Sequence, residues 1–198
     1  MKTNSSILRN ILVFMLVLGL VAQFNLLLHE FGHCITMDVV GGDCDGVYVT
    51  PGIKVWPLKG LGQRYSGSWN NYFGLTHFSQ SAPNEWTDGL VFLMGSGAVA
   101  VLSLLALVVL YAFRPKGWVR FPLLAQSLMF LDLLFYTILP RWFGLRHFFF
   151  IGGDYPEPLD GAIQMGIPES TFITGVLTYS ALMMAGCLRY VLREMHTS

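Results

Sequence analysis

Four long apolar segments constrain the fold of this chain more than any other feature. They cover about residues 7–28, with the helix continuing to about residue 40, and residues 90–113, 121–139 and 171–192. A helix of about 20 apolar residues crosses the hydrocarbon core of a bilayer, and each segment is long enough. Only 12% of the residues are charged, whereas soluble domains have about 25%. The sequence therefore predicts one multi-pass, all-α integral membrane domain over residues 1–198, with about four transmembrane helices in the lipid bilayer.

Charge and cysteine content exclude several other classes of protein. Twelve basic and twelve acidic residues give a formal net charge of zero, so no long-range electrostatic field favours nucleic acid, and we predict no nucleic-acid partner. The three cysteines, Cys34, Cys44 and Cys187, form no CxxC pair and are too few for a disulfide framework. The redox compartment and the oligomeric state stay open at this stage.

The first apolar segment has an alternative interpretation as a secretory signal peptide. Lys2 and Arg9 precede the apolar run, as in the charged region of such peptides. The run continues past Ala22 to Leu28 without a small-residue cleavage pattern. Cleavage would also leave the polar cluster that follows at a frayed terminus, so a retained helix is the better prediction.

That polar cluster is the sequence His29-Glu30-Phe31-Gly32-His33, an HExxH motif at the end of the first apolar segment. On a helix the two histidines lie one turn apart on one face, where two imidazoles can bind one Zn²⁺ at about 2.0–2.1 Å. Glu30 then serves as the general base for water. The alternatives are interfacial histidines beside a Glu30 that reaches to water, or a metal site without catalysis.

A catalytic zinc site needs a third protein ligand, and the motif does not supply it. The extension HExxHxxGxxH is absent because residues 36 and 39 are Thr and Val, and Asp38 points away from the histidine face. Three aspartates remain as candidates, namely Asp132, Asp154 and Asp160. Asp132 is the only charged residue of the third apolar segment, and we predict that it supports a histidine and is not itself a ligand.

A second motif, Pro156-Glu157-Pro158-Leu159-Asp160-Gly161, stands far downstream of the HExxH motif. Together the two motifs resemble the site-2 protease family of intramembrane zinc metalloproteases, and the short chain resembles a minimal member without a PDZ domain. The resemblance implies that His29, His33 and Asp160 bind zinc and that Glu30 is the catalytic base. It implies an endopeptidase that hydrolyses peptide bonds of membrane-spanning or membrane-associated proteins.

Asp154 is the alternative third ligand, and Asp160 has an alternative role as a helix N-cap. Asp154 follows a glycine pair, whose flexibility would let the backbone approach a metal. Asp160 begins a run in which a helical turn would hold the carboxylate rigidly. Because zinc tolerates little error in ligand position, we favour Asp160.

The loop between the first two apolar segments predicts a small β-hairpin. Its strands are Val47–Thr50 and Ile53–Trp56, joined by a Pro51-Gly52 turn. An exposed edge could hold an extended substrate by strand addition, and a structural flap on the membrane surface is the equal alternative. The aromatic-rich remainder of the loop, residues 65–86, is typical of an interfacial belt.

With four spans, the two motifs lie on the same side of the membrane and can form one site. Seven Lys and Arg residues fall on the opposite side and five on the motif side, which favours cytoplasmic termini. The family resemblance implies the reverse orientation, with zinc towards the cytoplasm, so orientation stays open. Two rival functions also stay open: a non-catalytic metal-binding module or inactive relative that binds transmembrane segments, and a metal transporter. Transport normally requires ligands on more helices than this chain offers.

Overall fold

The computed structural model describes residues 4–69, 73–146 and 153–197. Helices occupy most of this part of the chain and are, in order, α1 (Asn4–Val39), α2 (Glu85–Phe113), α3 (Arg120–Ser127), α4 (Leu131–Phe143), α5 (Glu157–Gln164) and α6 (Glu169–Thr197). Four helical segments are long and apolar enough to cross a membrane: Leu8–Val39, Glu85–Phe113, Gly117–Phe143 and Glu169–Glu194. The predicted number and order of candidate spans are confirmed.

The third span is less regular than the sequence predicts. Two 3₁₀ turns, Gly117–Val119 and Leu128–Phe130, precede α3 and separate α3 from α4. The span therefore consists of two short α-helices in tandem, with a tighter turn between them. We refer to Gly117–Phe143 as the α3–α4 span.

Local sequence signals set the ends of α2. The side chain of Asn84 accepts a hydrogen bond from the Thr87 N–H, and the Thr87 side chain accepts one from the Asn84 N–H. This reciprocal capping box satisfies two backbone groups that the helix leaves open. At the other end Arg114 adopts a left-handed conformation, and Pro115 follows it. A proline directly after the cap prevents the helix from continuing.

The loop between α1 and α2 forms a three-stranded antiparallel sheet of order β2-β1-β3, in which β1 is Asp43–Val49, β2 is Ile53–Trp56 and β3 is Gly74–Gln80. The β1–β2 hairpin is confirmed. The third strand lies in the segment that the sequence predicted to be an interfacial belt, so the all-α description is corrected to a mostly helical fold with a small sheet. The sequence signal for β3 was weak because its residues alternate little between polar and apolar.

A disulfide joins the sheet to the end of α1. Cys34 and Cys44 are bonded, with their Cα atoms 5.2 Å apart, whereas the sequence did not predict a disulfide. The chain reverses just after Val39, so that β1 runs back beside the last turns of α1. The Cys44 N–H also donates to the Asp38 carboxylate at 2.8 Å. A disulfide typically stabilises a small fold by about 2–4 kcal/mol, and this one restrains the sheet against α1.

Small residues let α1 and α5 approach α2 closely. A Cβ on Gly32 of α1 would overlap the carbonyl of Met94 in α2, and a Cβ on Gly161 of α5 would come within 2.5 Å of the Gly89 carbonyl oxygen. In a membrane such small residues allow helices to pack backbone to backbone. These two contacts place the end of α1 and the start of α5 on the same part of α2.

Candidate metal centre

His29 and His33 form one side of a buried polar cluster at the end of α1. Both side chains are buried, and their ring centroids are 4.8 Å apart, as expected for residues one helical turn apart. The third member is Glu157, the first residue of α5. Its Oε2 atom lies 3.6 Å from His29 Nε2 and 3.5 Å from His33 Nε2. In the described part of the chain these three side chains form a group that could hold a metal ion.

The structure brings Glu157 to the histidines, where the sequence favoured Asp160 with Asp154 as the alternative. Neither aspartate belongs to the group or lines the cavity described below. Asp160 lies three residues after Glu157. Its side chain therefore points about 60° away from that of Glu157 around the axis of α5, and it lies further along the axis from the histidines. Asp154 is exposed and precedes the helix. In the described residues Glu157, and neither Asp160 nor Asp154, lies beside the two histidines.

Asp160 has a different partner. It accepts a hydrogen bond from the Tyr155 hydroxyl, and burial together with this bond raises the pKa of Tyr155 to about 12. The contact lies within the loop and first turn of α5. Asp160 is the fourth residue of α5 and the N-cap position is Pro156, with no side-chain cap, so the alternative interpretation of Asp160 as an N-cap is wrong.

Glu157 was overlooked because the sequence argument considered only aspartates. It stands between two prolines at a predicted helix start, where a carboxylate is favoured in any protein by the helix dipole. Burial opposes its ionisation, but the two imidazoles beside Oε2 outweigh that effect and hold the pKa of Glu157 below its usual range. The ionised carboxylate is the form in which a glutamate binds a metal ion.

The other ring nitrogen of each histidine has its own partner. His29 Nδ1 lies 3.2 Å from Asp132 Oδ2 in α4, and His33 Nδ1 donates to the Val91 carbonyl oxygen in α2 at 2.7 Å. Both contacts leave Nε2 facing Glu157. Such partners fix the tautomer and orientation of metal-binding histidines. The contact between Asp132 and a histidine, predicted from the sequence, is confirmed.

A polar contact one turn before His29 holds α1 against the α3–α4 span. The amide of Asn25 donates to Gln126 Oε1 at 2.7 Å, and the amide of Gln126 donates to Asn25 Oδ1 at 2.9 Å. Both side chains are buried. Together with the His29–Asp132 contact, this pair sets which face of α1 is turned towards α4.

Asp132→Asn should lower the affinity for Zn²⁺ by about 10- to 100-fold, the usual range for a partner that orients a ligand. The amide keeps the shape of the side chain but removes the charge that favours the His29 orientation. Competition with a chelating dye on the detergent-purified protein measures the affinity. Asp154→Asn is the control, because it removes an exposed carboxylate outside the cluster. Unchanged affinity in Asp132→Asn would contradict the supporting role, and complete loss of zinc would make Asp132 a ligand.

Gly95 of α2 provides the space in front of the histidine rings. A Cβ at this position would overlap His33 Nε2 and come within 2.7 Å of His29 Nε2. These are the two nitrogens that face Glu157. The absence of a side chain at residue 95 therefore keeps the ligand atoms accessible.

Gly95→Ala should weaken zinc binding by about 5- to 150-fold, because overpacking costs about 1–3 kcal/mol and the methyl group would displace both ligand rings. Gly97→Ala is the matched control on the same helix. There the added Cβ would meet only the flexible side chain of Met94 at 3.3 Å. Equal zinc affinities for the two variants, measured by the same competition, would show that the space at Gly95 is unimportant.

Glu30 is buried beside the histidines and is held by β3. The Thr76 hydroxyl donates to Glu30 Oε2 at 2.7 Å and lies 2.9 Å from the Glu30 carbonyl oxygen. A Cβ on Gly74 would press on the same carboxylate. The strand that the sequence did not predict is thus the element that positions the predicted base.

One cavity of about 560 Å³ is lined by the His29, Glu30 and His33 side chains of α1 and by Glu157 of α5. Its polar part holds His29, Glu30, His33, Asp132 and Glu157, and β3 forms one wall. The rest of the lining comes from α1, α2 and the α3–α4 span. It is mostly apolar, with Leu26, Phe92 and Phe135 among its residues, and Gln23 and Asn25 are its polar members. The cavity therefore combines the polar cluster with a mostly apolar lining from three candidate spans.

Comparisons with known proteins give no match to any family model, curated protein or solved structure. The resemblance to site-2 proteases accordingly rests on the two sequence motifs alone. Function must be argued from the chemistry of this cluster.

Proposed function

We propose that the chain is an intramembrane zinc metalloendopeptidase. The observation that carries the proposal is the convergence of His29, His33 and Glu157 in one cavity with the carboxylate of Glu30. Two histidines and one glutamate are a ligand set of catalytic zinc sites, which keep the fourth position open. A purely structural zinc site would have four protein ligands and no need of an adjacent base.

The geometry of the three ligand atoms suits a tetrahedral ion. Two atoms that each lie about 2.0–2.1 Å from one tetrahedral Zn²⁺ are about 3.3 Å apart. Glu157 Oε2 lies 3.5 and 3.6 Å from the two histidine nitrogens. Both distances from the Glu157 oxygen are therefore within a few tenths of an ångström of the separation that two ligands of one zinc ion have. Gly95 leaves the space that the ion would occupy next to both rings.

Zinc, when bound by these residues, supplies Lewis acidity that activates water and polarises a carbonyl group. Glu30 takes the proton from the attacking water and later returns a proton to the leaving amine. Thr76 keeps the Glu30 carboxylate at the cavity wall. Asp132 and the Val91 carbonyl contact the Nδ1 atoms of the two imidazoles, which leaves their Nε2 atoms to hold the metal when it is bound.

The cavity also supports the choice of substrate class. Its mostly apolar lining, from α1, α2 and the α3–α4 span, is suited to hold an apolar segment of a substrate. In the described residues β3 pairs with β1 only, so an extended peptide could add to its other edge by main-chain hydrogen bonds. Membrane-spanning or membrane-associated proteins are therefore the proposed substrates.

The test combines metal content with cleavage. We expect the detergent-purified protein to contain about one zinc ion per chain and to cleave a transmembrane reporter, and we expect 1,10-phenanthroline to stop cleavage until zinc is restored. Absence of bound metal would refute the site itself. Bound zinc without cleavage of any reporter in a panel of transmembrane sequences would favour the non-catalytic metal-binding module.

A further inference from the structure

We infer that the metal centre opens on the side of the membrane away from the cytoplasm, and that its substrates are cleaved near their extracytoplasmic membrane boundary. The statement about substrates rests on the proposed function. The statement about orientation does not, because it follows from the disulfide and the distribution of charge.

The first observation is the position of the disulfide. Cys34 directly follows the ligand His33, is 1% exposed and is bonded to Cys44 of β1. Disulfides persist in oxidising environments, such as the periplasm, the lumen of the endoplasmic reticulum or the cell exterior, and are rare in the cytosol. The end of α1 and the sheet therefore belong on an oxidising side.

The metal centre lies on this same side. The disulfide and the histidines share the last turns of α1, and β3 of the disulfide-linked sheet contacts Glu30. Glu157 reaches the histidines from α5, which lies between the third and fourth spans. Sheet, metal ligands and proposed base thus form one unit at one end of the spans.

The second observation is the distribution of basic residues. At the opposite end of the spans, the short connection from α2 to α3 contains Arg114 and Lys116, α3 begins with Arg120, and no acidic residue lies among them. Including the two chain ends, this side has seven Lys and Arg residues and the metal side has five. Basic residues in short loops are retained in the cytoplasm. The charges therefore place the α2–α3 connection in the cytoplasm, in agreement with the disulfide.

Both observations oppose the orientation that the family resemblance implies. A centre on the extracytoplasmic side would act on the part of a substrate that emerges from the outer half of the bilayer. A substrate whose cleavable bond lies at its cytoplasmic boundary would not reach the ligands.

Two exposed lysines on opposite sides provide the topology test, namely Lys59 in the sheet loop and Lys116 in the α2–α3 connection. We would treat cells that express Lys59→Cys or Lys116→Cys with a membrane-impermeant maleimide. Labelling of Lys59→Cys in intact cells, with Lys116→Cys labelled only after permeabilisation, is expected. Any other pattern, including labelling of both variants in intact cells, overturns the inference. The unsubstituted chain is the control, since Cys187 is buried.

Thiol counting tests the disulfide separately. After denaturation without reductant, a polyethylene-glycol maleimide should add to one cysteine, Cys187, and after reduction it should add to all three. Three additions without reductant would show that Cys34 and Cys44 are not bonded to each other, which would overturn the inference. Neither measurement uses proteolysis, so an inactive but correctly oriented protein would refute the proposed function and leave the orientation intact.

Discussion

Glu30→Gln should keep zinc in place and lower peptide hydrolysis by about 10²- to 10⁴-fold, the contribution usual for a general base. Glutamine has the size and the acceptor oxygen that Thr76 requires, so the contact with β3 can survive. It cannot take a proton from water at neutral pH. The three ligands, His29, His33 and Glu157, are unchanged. Cleavage of a transmembrane reporter and zinc content, measured on the same purified sample, separate the two effects.

Glu85→Gln is the matched control for this experiment. It makes the same chemical change at an exposed position in the first turn of α2, and it should leave zinc content and cleavage unchanged. Undiminished cleavage by the Glu30→Gln protein would refute the proposed zinc endopeptidase mechanism, in which Glu30 is the base. If Glu30→Gln also lost its zinc, the carboxylate would have a role in metal binding that the triad geometry does not assign to it.

The parts of this molecule that were predictable from sequence depend on nearby residues. Each span was predicted from a long, mostly apolar segment, because a helix that crosses the hydrocarbon core needs about 20 predominantly apolar residues. His29 and His33 converge because four residues make about one helical turn. Asp132 could be connected with the histidines because a single charge inside a span needs a polar partner.

The parts that were missed depend on residues far apart in the chain. Strand β3 exists because it pairs with β1, although its own alternation is weak. Cys34 and Cys44 meet because the chain reverses after α1. Glu157 faces the histidines because Gly161 lets α5 lie against α2, and that packing decides which acidic residue of α5 is turned inward. No local pattern contains this information.

The choice between Glu157 and Asp160 leads to the last and most direct prediction. Glu157→Gln should weaken zinc binding by more than about 100-fold, beyond the range for residues that only orient a ligand. The substitution keeps the size of the side chain, so the packing of α5 against α2 is retained. It removes the negative charge that stands between the two histidine nitrogens. Zinc stoichiometry and dye competition on the detergent-purified protein measure the loss.

Asp160→Asn supplies the comparison within the same short helix. It removes a carboxylate of the same charge, but one that contacts Tyr155 and lies outside the cluster, so zinc affinity should stay within a few-fold of that of the unsubstituted chain. The thermal unfolding midpoint of each variant separates a lost ligand from a lost helix. If Glu157→Gln retained zinc and Asp160→Asn lost it, the third zinc ligand would be Asp160 and not Glu157. That outcome would also mean that α5 turns by about 60° when the metal binds, since that is the angle between the two side chains.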